Sequence, residues 1–214
     1  MVEPLLIIER EPDEVLDEEG RHHALALIED RALVDQLSDA AVVAKRFELA
    51  FYGDVTLLEW TSPDWPAQTR VCFLEYGEQL LRLDGTSPPI HQVNASADLV
   101  LTEANVLDYL AFFCFFVRGT DGPFLVVDRQ DHPMVPAVVR TPEFHAKFRA
   151  PQLFGRSRMG NFLASTTVYY SNALFVADFR VILTGMVEMA DDAPVLADLA
   201  ARVEVPLAIG DSIH

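Results

Sequence analysis

The chain has 214 residues, half of them apolar and 23% charged, and its 33 acids outnumber 16 lysines and arginines for a net charge of −17. That describes a globular domain with a core large enough to stand without disulfide or metal staples, and it excludes a disordered chain. The acidic balance disfavours a general nucleic-acid or anionic-lipid surface, since both need a positive face.

Residues 1–9 carry two glutamates and four consecutive apolar residues, where a signal peptide needs a positive start and a longer apolar stretch. The longest apolar run, residues 106–117, is interrupted by Asp108 and falls short of the roughly 20 residues a spanning helix needs. The two cysteines, Cys72 and Cys114, each sit in an apolar run without a basic neighbour. The expectation is a cytoplasmic protein with both thiols reduced and buried.

Residues 5–9 form a short apolar run between two prolines and read as a strand. Residues 9–19 hold seven acids and one arginine, a solvated loop or a helix start. From 22 to 38, Leu25, Ile28, Ala32, Leu33 and Leu37 follow helical steps of three and four. Residues 47–60 read as one or two strands broken at Gly53-Asp54. Residues 70–76 and 79–83 flank Gly77-Glu78 as a hairpin. Residues 102–117 give the clearest helix, with Thr102 as its cap and Gly119 suited to a left-handed position after its end. It is apolar nearly all round, so it is expected to be buried on more than one side.

A strand is predicted over 124–128, then a long irregular excursion at 131–160 with one short helix near 143–148. Residues 162–170 read as a strand and Ser171-Asn172 as a turn. From Ala173 to Met189 every odd position is apolar or glycine, which means one buried sheet face. Seventeen straight residues would span about 56 Å, so a strong bend or bulge is expected near Gly185. A short helix over 195–202 and a strand over 203–209 close the chain. The fold class is α+β: a curved antiparallel sheet packed on a buried, aromatic-rich helix.

The chemical motifs are weak. Gly155-Arg156-Ser157-Arg158-Met159-Gly160 resembles a nucleophile elbow, but its second glycine comes one residue late. Gly210-Asp211-Ser212 with His214 has an esterase-like order at the wrong end of the chain. His22 and His23 point about 100° apart on a helix, and Asp128, Asp131 and His132 resemble an acid-rich loop more than a metal site. His91 lacks a partnered motif. No metal or cofactor is expected.

Charge density gives the one anomaly. Arg140, Lys147, Arg149, Arg156 and Arg158 fall within 19 residues containing a single acid, Glu143, and His145 adds a titratable donor. Arginine forks match carboxylate and phosphate geometry, although these cations are equally suited to pairing with their own acidic surface. The functional expectation is a non-enzymatic ligand-binding or assembly protein, with a homo-oligomer as the simplest assembly. One alternative is an enzyme or sensor holding a small anion at 140–158. The other is a carrier of an apolar small molecule in a sheet cavity.

Overall fold

The structure, a computed structural model, describes residues 3–209. It is an α+β fold, and its strands divide between two antiparallel sheets. The first is a meander of β1 (Glu14–Val15), β2 (Val43–Glu48), β3 (Val55–Thr61), β4 (Val71–Tyr76) and β5 (Gln79–Arg82) in chain order. The predicted hairpin is β4–β5, paired at Tyr76↔Gln79 with Gly77 at φ +57°.

This sheet is covered on both faces, which explains the unbroken apolar runs in β3 and β4. Leu58, Trp60, Val71 and Phe73 point outward onto α1 (Glu18–Ala26) and α2 (Arg31–Leu37), while Leu57, Cys72 and Leu74 point inward to the larger core. The helix predicted over 22–38 is two helices. Asp17 caps α1 by accepting from Gly20 N–H at 2.8 Å, and Asp30 caps α2 by accepting from Leu33 N–H at 3.2 Å. Each cap serves the free amides of a first turn and so starts a new helix.

The larger core gathers around α4 (Val106–Phe116), with α3 (Pro88–Ser96) beside it. Every residue of α4 from Tyr109 to Phe116 is buried. Its rings interlock, as in the edge-on pair Phe115–Phe116 at 5.0 Å. The helix begins later than the sequence implies. Thr102 lies in a preceding turn, and Asn105 knits that turn to the chain by accepting from Thr102 N–H and donating to Ala50 and Val100 carbonyls. Gly119 is not left-handed either. It is glycine because a Cβ there would run into the Tyr170 ring, whose Cε2 lies 3.0 Å away.

The second sheet runs β10 (Val187–Leu196), β9 (Ala173–Val181), β8 (Phe162–Tyr170). Beyond β8, its two halves pair separately with β6 (Leu125–Val127) and β7 (Gln152–Arg156). The stretch at 131–160 is less irregular than expected: it contains α5 (Pro142–Lys147) and β7. The alternation from Ala173 crosses a full reversal at Gly185, not a bend, because Val181 pairs with Val187 and both strands keep odd residues in phase. The helix expected over 195–202 is absent. β10 runs to Leu196, with bulges at Met189/Asp191 and Pro194/Leu196.

Residues 5–9 form a 3-10 turn, Ile7–Glu9, in place of a strand, and charged groups fasten it to the loop after β6. Asp128 accepts from Leu5 N–H at 2.9 Å, and Arg129 bridges Glu9 and Asp128 at 2.6 and 2.8 Å. Beneath them His132 is fully buried. Its Nδ1 accepts from Met134 N–H, so Nε2 carries the proton of a neutral ring and faces Glu9 Oε1 at 3.4 Å. Burial above all, then the Arg129 and Arg140 cations, pulls this imidazole down to about 4, against the pull of Asp128 and Asp131.

An unfolded histidine titrates near 6.5. Stability from keeping His132 neutral is therefore complete above that pH and is lost as pH falls toward 4. Glu9 has the opposite sign. Burial raises it despite Arg129, so its contribution is present at acid pH and lost as pH rises. The expected result is a urea midpoint that declines from pH 7 to 4.5 and declines less in His132→Asn. Equal slopes in the two proteins exclude His132 as the titrating group.

Candidate functional site

The inward face of the first sheet ends in an ion pair. Glu59 on β3 and Arg70, just before β4, are 3% and 8% exposed, and Arg70 Nη1 donates to Glu59 Oε1 at 2.7 Å. Arg70 spends its other donors on Gln68. Burial raises the Glu59 carboxyl, with Arg70 and Lys45 opposing.

A second guanidinium lies against the same aromatic ring. Arg70 and Arg118 sit 5.9 and 5.5 Å from the centroid of Phe115. Arg118 follows α4 and donates from Nη1 to the Val205 carbonyl. Its Nε and Nη2 are buried and have no hydrogen-bond partner among the described residues, and no other residue there has two such atoms. Those two nitrogens form one edge of the planar fork, the edge that pairs side-on with a carboxylate or phosphate. Burial first, then repulsion from Arg70, draws the guanidinium down to about 10, so it is still charged at neutral pH.

The cover over Arg118 is the segment 199–207. It lacks ladder pairing but retains the alternation that suggests a strand: Val203, Val205 and Leu207 are buried. Hydrogen bonds hold it at intervals. Leu199 N–H donates to Asn172 and Arg70 N–H to Pro206, and Tyr169 and Arg118 reach the carbonyls of Ala201 and Val205. Between this strap, Gly85 and the turn 119–122 lies a pocket of about 440 Å³. Tyr170 positions the turn by accepting from Asp121 N–H at 3.1 Å while its ring stacks on Phe124 at 4.3 Å.

The residues singled out by charge density do not share an acceptor among the described hydrogen bonds. Arg140 donates to the carbonyls of Val135 and His132, Lys147 to Val195, and Arg149 to Ala146 and Phe148. Lys147 also pairs with Glu143 at 2.9 Å. Arg156 lies 4.0 Å over the Phe162 ring, Arg158 is exposed, and His145 stands edge-on to Phe144. Most of these cations close irregular backbone of their own chain.

Ser157 organises the β7–β8 turn, accepting from Met159 and Asn161 amides. Asp128 and His132 serve the N-terminal clamp, and Asp131 is exposed. Among the described residues no three His, Cys, Asp or Glu are placed to hold a metal. Gly210, Asp211, Ser212 and His214 lie outside the described residues. Both cysteines are buried, in β4 and α4, and burial pushes the Cys114 thiol up to about 12.

Sequence reasoning passes over Arg118 as the end of a helix. One signal is present: an arginine directly after a helix apolar nearly all round has its stem drawn into the same core. No family model, curated protein or solved structure matches this chain.

Proposed function

We propose that this is a non-enzymatic ligand-binding protein whose ligand presents a small anionic group to Arg118. The observation that carries the reading is the buried, unpartnered Nε/Nη2 edge of that side chain. Leaving a buried charge without partners is strongly unfavourable, and the nearby carboxylate, Glu59, is already engaged by Arg70. A carboxylate or phosphate oxygen pair completes the fork. Both nitrogens are closed off from solvent, so ligand entry involves a local opening around Arg118. The thiol nearest this charge, Cys72, is raised far by burial and by Glu59 despite both arginines, which favours binding over nucleophilic chemistry.

Acetate, benzoate and inorganic phosphate serve as probes in thermal-shift measurements. Benzoate is expected to raise the midpoint by mass action. Arg118→Met should remove the shift, while the double variant Arg149→Ala/Arg158→Ala should keep it. The reverse pattern overturns this reading in favour of an anion site on the 140–158 segment.

A further inference from the structure

Resting on the reading of Arg118 as an anion site, we infer that the ligand is a small amino-carboxylate with an apolar body, an α-amino acid in the simplest case. The surroundings of the pocket point to that chemistry. Its wall carries two cations, Arg118 and Arg202, and three carboxylates, Asp84, Asp121 and Glu204. Arg118 is half-buried, with its Nε and Nη2 atoms inside, whereas Asp84, Asp121, Glu204 and Arg202 are exposed at the rim. An anion must therefore pass a ring of like charge on a chain of net charge −17. A zwitterion has no net charge to repel, and it can offer a carboxylate to the arginine and an ammonium to the rim.

The rim acids suit that second task to different degrees. Asp84 is oriented by Thr86, whose N–H and hydroxyl donate to it at 2.9 and 2.6 Å. Partial burial alone would raise this carboxyl, but those hydrogen bonds and Arg82 hold it low. Asp121 makes only a loose pair with Arg202 at 3.7 Å, about half exposed on both sides. Glu204 has no ion-pair partner among the described residues and projects from the strap itself. Pro123, Val203, Val205, Pro206 and Leu207 also line the pocket and give an apolar surface for the ligand's body. A volume of about 440 Å³ lies at the small-molecule end of ligand pockets.

Calorimetric titration of the full chain with three probes of one skeleton tests this: leucine, 4-methylpentanoate, which lacks the amine, and 3-methylbutylamine, which lacks the carboxylate. Leucine is expected to bind at least about tenfold more tightly than either, the return on one added charge-assisted contact. At least one of Asp84→Asn, Asp121→Asn and Glu204→Gln should erase the advantage of leucine over 4-methylpentanoate, and Arg118→Met should abolish binding of both. If 4-methylpentanoate binds as well as leucine and none of the three acid variants changes that ratio, the zwitterion inference falls and the anion site stands. If 3-methylbutylamine binds best and Arg118→Met leaves it unaffected, the inference falls as well. If all three are silent along with benzoate and phosphate, both readings fall together.

Discussion

Gly185→Ala is expected to destabilise the protein by about 3–5 kcal/mol. Gly185 turns the β9–β10 hairpin at φ +84°, a conformation that costs an L-residue about 1–2 kcal/mol. The hairpin tip also docks on the helices. A Cβ there would lie 2.8 Å from Leu99 Cδ2 and closer still to Tyr109 Oη and Asn94 Nδ2. Relieving such overlap in a packed interior costs about 1–3 kcal/mol. The shift would also break the bond from Tyr109 hydroxyl to the Gly185 carbonyl, 2.5 Å long, which ends a chain running from Tyr52 through Asn94. Gly160 isolates the strain component, because it has φ +81° and a Cβ added there would meet nothing within 4 Å. Chemical denaturation should therefore place Gly160→Ala well above Gly185→Ala in stability. Equal losses would mean that the tip does not dock tightly on α3 and α4.

Gly185 also shows what a sequence pattern carries and what it omits. Alternation reports which face is buried, and it does so over Ala177–Val181 of β9, where Asp178 and Arg180 are exposed between buried neighbours. It cannot distinguish a bend from a reversal when the hairpin returns in the same phase, as Val181↔Val187 does. β10 escapes sequence reading for a related reason. Asp191, Asp192 and Pro194 have the chemistry of a helix start, but an edge strand with bulges tolerates the same residues because its outer amides need no partner. The buried face of α4 is legible in its composition. Its rings Phe112, Phe115 and Phe116 are wholly buried within one chain, so they do not argue for an assembly. The site is less legible. Charge density is local and draws attention to 140–158, whereas Arg118 acquires its meaning from Val205, 87 residues away, and from an aromatic ring it shares with Arg70.

Glu59→Leu is expected to cost about 3–5 kcal/mol, the usual consequence of removing one member of a buried ion pair. The loss arises from what remains: Arg70 would stay buried without its carboxylate, on the same Phe115 ring as Arg118. Removing both partners is a different experiment. Burial raises the Glu59 carboxyl even with Arg70 at 2.7 Å, the mark of a pair whose desolvation outweighs its attraction. Glu59→Leu/Arg70→Met should therefore recover most of the stability lost in the single variant. The same charges set the ligand response. With Glu59 gone the site is more positive, so benzoate at a fixed concentration should raise the thermal midpoint of Glu59→Leu more than that of the parent. Adding Arg118→Met to Glu59→Leu should restore part of the stability and remove the benzoate response. A benzoate response in Glu59→Leu no larger than in the parent would place the anion elsewhere, and a double variant as unstable as the single would show that packing, not charge, sets the cost at this position.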